Sequence, residues 1–273
     1  MYNEYLPIKA VIEKIVDESP DVKTFTLRPL DKNNCILKYK PGQFMMLSLA
    51  GFGEAPFTFA SAPRDGVFEI SVRKVGSLTG AIHKLKENDI VGIRGPYGNT
   101  FPIDKIKGKD LLFVGGGCGM APLRPLIQHV FKNRKNYGRI EIVYGCRSPK
   151  DISYKDEIKT WQANSNTKVH LTVDEPDEDW TGACGVVCIL FDKINLALNK
   201  TYVFLCGPGI MIKSAIKDIL KLGFKENNIY ASLERYMKCG IGKCGHCYIK
   251  GKYVCLDGPN FSYTKMRELG IDS

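Results

Sequence analysis

The chain has 273 residues, 44% hydrophobic and 25% charged, with 39 Lys plus Arg against 29 Asp plus Glu for a formal net charge of +10. That length and composition exclude a disordered chain and leave room for two ordinary domains and a small module, each with a core to bury. The lysines are scattered with no block of five like charges, so the positive balance reads as a solvated surface that meets anionic dinucleotides or an acidic redox partner, not nucleic acid. No stretch approaches the ~18 apolar residues a membrane span needs. The start Met1-Tyr-Asn-Glu-Tyr-Leu carries an early acid and no apolar run, so no secretory leader is expected. Ten unevenly spaced cysteines do not form a secreted disulfide framework, which points to a reducing cytoplasm.

Up to residue 107 the pattern is β-like. Strands are expected over Lys9–Val16, Lys23–Arg28, Gln43–Leu49, Phe57–Ser61, Val67–Val75 and Ile90–Gly95, separated by Pro, Gly and Asp turns. Short strands at such close spacing predict a small antiparallel barrel. From 108 to 225 strands alternate with helices: Leu111–Val114, a helix after Ala121, Ile140–Tyr144, a helix from Tyr154, Val169–Val173, Tyr202–Leu205 and a helix over Ile210–Leu222. That alternation predicts an α/β domain built on a parallel sheet. Residues 226–273 form a third, cysteine-bearing module.

Three motifs carry chemistry. The apolar strand ending at Val114 runs into Gly115-Gly-Gly-Cys-Gly-Met-Ala-Pro122, and the strand ending at Leu205 runs into Cys206-Gly-Pro-Gly-Ile-Met211. Glycines where a strand meets a helix let a pyrophosphate approach the backbone, and two such turns in one domain point to a dinucleotide. Cys239, Cys244, Cys247 and Cys255 follow C-x4-C-x2-C-x7-C, matching a plant-type [2Fe–2S] site in the first three ligands. A zinc ribbon would pair two C-x2-C knuckles, and only one is present. His246 reads as an exposed bystander. Cys35, Cys146, Cys184 and Cys188 read as small hydrophobes, and Cys118 as a filler in the glycine turn.

Together these motifs resemble the ferredoxin-NADP reductase superfamily, in the branch with a C-terminal [2Fe–2S] module. Gly53-Glu-Ala-Pro56, Glu234-Arg-Tyr-Met-Lys-Cys-Gly-Ile-Gly-Lys-Cys-Gly-His-Cys247 and Tyr253-Val-Cys-Leu-Asp-Gly-Pro-Asn-Phe261 are similar to the electron-transfer subunit of anaerobic sulfite reductase and to sulfhydrogenase gamma subunits. The resemblance makes 1–107 an FAD-binding barrel, 108–225 the NAD(P)-binding domain and 226–273 the cluster module. Its flavin motif falls on Ala55–Ser61, with Pro56, Phe57, Thr58 and Ser61 as contacts and Ala55 where the family has a pyrophosphate-binding arginine. Arg73, Gly76 and Thr79 fall on the second flavin segment. Gly116, Gly117 and Gly119 fall on the nicotinamide pyrophosphate turn, Arg147 near the adenine ribose with Asp151 as an alternative ribose contact, and Cys206, Gly207 and Pro208 by the nicotinamide. Thr58, at the isoalloxazine edge, and Cys206 are the candidate catalytic residues. The implied function is a diaphorase subunit that oxidises NAD(P)H, NADH favoured, at FAD and passes single electrons through the cluster to siroheme and iron–sulfur sulfite reductase subunits. Hydrogenase subunits are the alternative partner, and the electron-transfer subunit of dihydroorotate dehydrogenase the alternative role. No membrane and no nucleic acid are expected.

Overall fold

A computed structural model describes residues 5–31, 35–64 and 66–271; the first four residues and the Cys35 side chain lie outside the described residues. The first sheet has six strands: β1 (Ile8–Ser19), β2 (Val22–Pro29), β3 (Phe44–Leu49), β4 (Gly53–Thr58), β5 (Phe68–Arg73) and, after the short helix α1 (Ser77–Ile82), β6 (Ile90–Tyr97). Their order is β4-β3-β6-β1-β2-β5 with every pairing antiparallel. The sheet curls so that the Ala60 N–H, just past β4, donates to the Glu69 carbonyl on β5 at 2.7 Å. Alternate residues Phe25, Leu27, Phe68, Ile70, Val91, Ile93, Met45 and Leu47 fill the barrel, with Tyr39 stacked on Phe59 at 3.8 Å between ring centroids.

β4 begins four residues earlier than its expected start at Phe57. The Phe52 N–H closes a turn on the Leu49 carbonyl, and the returning chain pairs from Gly53 opposite Leu49 to Thr58 opposite Phe44. Pro56 fits this strand because β4 lies at the sheet edge, where a missing N–H costs no ladder bond.

The second sheet is built from β7 (Asp110–Gly116), α2 (Met120–Lys132), β8 (Ile140–Cys146), α3 (Lys155–Gln162), β9 (Thr167–Val173), β10 (Ala183–Cys184), β11 (Thr201–Cys206), α4 (Gly209–Lys221) and β12 (Ile229–Ser232). Every residue of β7 is buried, as a central strand covered on both faces requires. The hairpin β13 (Tyr248–Ile249) and β14 (Lys252–Tyr253) leads through α5 (Val254–Asp257) to β15 (Asn260–Ser262) and α6 (Tyr263–Glu268). Strand order is β10-β9-β8-β7-β11-β12-β15, parallel except for β15, which runs antiparallel to β12. The last two strands of this sheet therefore come from beyond residue 225, in the segment that carries the cysteine run. Cys184 is exposed on the two-residue β10 and does not pack as expected, while Cys188 is half-buried in the following 3-10 turn.

One core crosses all three regions: Phe44 and Met46 of the barrel, Leu112, Val203 and Leu205 of the second sheet, and Cys247, Val254 and Cys255 of the cysteine segment. Two polar knots pin the regions together. Arg124 on α2 donates to the Ala60 carbonyl and Glu69 at 2.6 Å each, binds Glu157 on α3, and lies 4.5 Å over the Tyr154 ring. Asn260 Nδ2 donates to the Gly42 carbonyl at 2.9 Å, while Asn99 Nδ2 donates to the carbonyls of Asp257 and Asn260 at 2.7 and 2.8 Å. Among the described residues no helix is long and apolar enough to cross a membrane.

Candidate functional site

The parallel strands end at a cleft of about 670 Å³, the size range of small-ligand pockets, at the sheet end where α/β folds bind nucleotides. It is lined by Gly116, Gly117, Arg147 and Pro208, and by Arg73 from the barrel, with Lys150, Asp151 and Asp174 beside them. Gly119 and the buried Cys206 are outside its lining, and the glycines of the two turns divide in purpose. A side chain at Gly119 would press on the Cys206–Gly207 peptide, 2.6 Å from the Gly207 nitrogen, and one at Gly207 would lie 2.7 Å from the Met211 methyl, so these glycines let the two turns touch. Gly117 alone of the three predicted pyrophosphate glycines faces open space.

Cys206 is 2% exposed, and burial pushes its thiol up to about 12; burial likewise pushes Cys118 up to about 11, against the pull of Arg73. Both are neutral thiols at neutral pH, weak hydrogen-bond donors and poor nucleophiles. Arg73 Nε donates to Asp21 Oδ2 at 2.7 Å. Burial pushes the Asp21 carboxyl up, and the bonds from Arg73 and Ser19 outweigh it and hold the group below the usual range. Arg147 is largely exposed with Glu175 at 3.9 Å, and Asp151 Oδ2 is engaged by the Ser148 N–H and hydroxyl at 3.0 and 2.7 Å.

Pro56, Phe57 and Thr58 sit half-buried on the edge strand, outside the lining of that cleft. Ser61 is fully buried, accepting the Glu69 N–H at 3.0 Å, while its carbonyl receives the Tyr39 hydroxyl at 2.8 Å; it holds the barrel closure. Thr79 Oγ1 accepts the N–H groups of Val75 and Gly76 at 2.9 Å each and caps α1. The structure thus brings Arg73, Gly116, Gly117, Arg147 and Pro208 together, and leaves the β4 residues and the Gly76–Thr79 turn outside that group.

In the cysteine loop, Gly240 and Gly242 take φ of +76° and +74°, left-handed positions that turn the backbone around the sulfurs. The amides of Lys243 and Cys244 point at Cys239 Sγ at 3.3 and 3.4 Å, and the Gly242 amide at Cys255 Sγ at 3.1 Å. The His246 amide is foremost in holding the Cys244 thiol down to about 7, whereas burial pushes Cys255 up to about 12. Among the described residues no three His, Cys, Asp or Glu side chains gather as a single-ion site. Backbone amides aimed at the sulfurs of Cys239 and Cys255 suit thiolates that would hold an iron–sulfur cluster, whose charge such donors stabilise. His246 is exposed, its ring 5.7 Å from Tyr236.

Two residues the motifs did not single out fasten this loop. Arg94 on β6, 6% exposed, donates through Nη2 to the Cys239 carbonyl at 3.1 Å and grips Glu54 on β4 at 2.9 and 2.5 Å. Glu54 stands within Gly53-Glu-Ala-Pro56 with no local sign of this role, and nothing local marks Arg94, because the bond joins positions 145 residues apart.

Residues 9–101 match the oxidoreductase FAD-binding domain, 113–217 the oxidoreductase NAD-binding domain, and 234–267 the iron-sulfur cluster binding domain of dihydroorotate dehydrogenase B. The sulfhydrogenase 2 subunit gamma of Pyrococcus furiosus is 37% identical, covering 96% of both chains. The Methanocaldococcus jannaschii protein named "Probable dihydroorotate dehydrogenase B (NAD(+)), electron transfer subunit" is 34% identical over 96% of this chain and 91% of its own. The chain belongs to this family of electron-transfer subunits. As a member it is an oxidoreductase with FAD-binding, NAD-binding and iron–sulfur cluster binding domains. A solved NADH-dependent reduced ferredoxin-NADP oxidoreductase superposes with a TM-score of 0.77 at 28% identity, covering 96% of this chain and 92% of that one.

Proposed function

We propose that this chain takes hydride from NADH at an FAD held by the barrel and delivers electrons singly, through a [2Fe–2S] cluster on Cys239, Cys244, Cys247 and Cys255, to a partner subunit in a reducing cytoplasm. The observation that carries the reading is the fastening of the cysteine loop, through Arg94 and Glu54, to the strand that bears Pro56, Phe57 and Thr58. Electrons passing between a flavin there and the loop would have a short, fixed path. When bound, FAD supplies the exchange between the two electrons of a hydride and the single electrons an iron–sulfur cluster takes.

The chain's own residues do the positioning. Arg73, Arg147 and Lys150 attract the dinucleotide phosphates, and Gly117 leaves room for close approach. Asp174 in the cleft and Glu175 beside Arg147 disfavour an additional ribose phosphate, which supports NADH over NADPH. Cys206, kept as a thiol, offers a hydrogen-bond donor without competing as a nucleophile. Arg124 fixes the barrel against the nucleotide domain.

For the partner, identity to the sulfhydrogenase gamma subunits, 37% and 40% for the two from Pyrococcus furiosus, supports a hydrogenase-type catalytic subunit. The Gly53-Glu-Ala-Pro56 segment and the cysteine signature support siroheme sulfite reductase subunits as the second reading. Anaerobic titration of the purified chain with NADH, then NADPH, is expected to bleach flavin and cluster bands together with NADH. A flavin-loaded sample that neither nucleotide reduces overturns the relay and favours the dihydroorotate type of role. Native purification then reads nickel or siroheme in the associated subunits.

A further inference from the structure

We infer that Arg94 and Glu54 are positioning residues that set the reduction potential of the cluster, acting on it through the Cys239 carbonyl. The inference rests on the relay proposed above and goes beyond it to two side chains outside the ligand set. The guanidinium is nearly inaccessible, and its Nη2 is shared between Glu54 Oε2 at 2.5 Å and the carbonyl of a cluster cysteine at 3.1 Å. Its other arm reaches the Tyr97 hydroxyl at 3.3 Å, so the group is held from three sides. The Gly240 α-carbon packs beside Met46 and Tyr97, and an added β-carbon would lie 3.0 and 3.2 Å from their side chains, leaving the loop little freedom to move away.

A fixed cation that donates to a ligand's own carbonyl stabilises the extra electron of the reduced cluster, and a carboxylate paired to that cation withdraws part of the effect. The ion pair therefore works as two opposed settings. Glu54→Gln keeps a hydrogen-bond partner for Arg94 and uncovers its charge; Arg94→Gln removes the charge and leaves the carboxylate. Arg94→Lys keeps the charge without the planar fork.

The test is a mediated potentiometric titration with dithionite, followed by EPR, of the full chain and the three variants, after iron content and near-UV circular dichroism confirm loading and fold. The reductant supplies the one electron per cluster, so nucleotide binding does not enter. At a fixed poise Glu54→Gln is expected to raise the reduced-to-oxidised ratio about tenfold, about 59 mV for one electron, and Arg94→Gln to lower it by a similar factor. Arg94→Lys stays within about threefold of the parent. Shifts of the same sign in Glu54→Gln and Arg94→Gln, shifts under twofold in both, or loss of the cluster from Glu54→Gln would each assign the pair a purely structural role and overturn the inference. A parent chain that loads no iron would instead sink the relay itself.

Discussion

Replacing Arg124 tests the claim that one buried guanidinium holds the barrel against the nucleotide domain. Arg124→Met keeps the length of the side chain and deletes its bonds to Ala60, Glu69 and Glu157 and its contact with Tyr154. Glu69 suffers most, because its side chain is 9% exposed and its remaining cation is Arg64, whose own side chain is half in solvent. Breaking a buried pair by removing one partner costs about 3–5 kcal/mol, mainly as the uncompensated charge left behind. Glu157, 31% exposed, rehydrates and adds little. The expected loss is about 3 kcal/mol, or roughly 6–12 °C in Tm for a chain of this size. Urea and thermal unfolding of the holoprotein measure it. The double variant Arg124→Met/Glu69→Gln should recover about half of the loss, since the stranded charge is gone. A single variant within about 1 kcal/mol of the parent, or a double variant worse than the single, would refute the argument.

Further expectations follow from the site. Gly119→Ala should destabilise by about 1–3 kcal/mol and raise KM for NADH, since its methyl drives into the Cys206–Gly207 peptide, whereas Gly117→Ala, facing open space at φ +52°, costs about 1 kcal/mol; equal effects in unfolding and kinetics would count against the packing role. The thiols of Cys118, Cys146 and Cys206 ordinarily titrate near 9, and burial pushes them up to about 11, 12 and 12. Their contribution is intact below pH 9 and is lost as pH rises from 9 toward 11 and 12, because the unfolded chain ionises first. Cys206→Ala should therefore flatten the alkaline fall in unfolding free energy by about 1.4 kcal/mol per pH unit, and an unchanged slope would refute it. Cys255→Ala should abolish the cluster absorbance while NADH-dependent reduction of ferricyanide survives; loss of both, in a folded flavin-loaded protein, would place the cluster before the flavin.

Much of the fold was legible because its signals are local. The β-branched and aromatic run in Lys23–Arg28 marks a strand, and the unbroken apolar run Leu111–Val114 marks a strand covered on both faces. β12 and β15 escaped notice because Ile-Tyr-Ala-Ser and Asn-Phe-Ser have no periodicity of their own; β12 is a strand through its pairing with β11 and β15, and β15 through its pairing with β12. The same division runs through the site. The cysteine spacing and glycine turns could be read directly, since their chemistry is written in neighbouring residues. Ser61 and Thr79 look like free hydroxyls in a motif, yet the fold spends both on backbone amides. Glu54, Arg94, Asn99 and Asn260 gain their meaning from partners that only the folded chain supplies.

The bond from Asn260 to Gly42 spans 218 residues and has a bearing on biosynthesis. As the chain leaves the ribosome, the barrel emerges first, yet Gly42 waits for its partner until 218 further residues have been made. The nucleotide-binding sheet waits as well, because its outermost strand is the late-emerging Asn260–Ser262. Closure is thus a late, long-range event of the kind that is slow and leaves hydrophobic surface exposed in the interval. Iron would enter a chain completing its own assembly, and translation that stopped short of Asn260 would leave two domains open rather than one module missing.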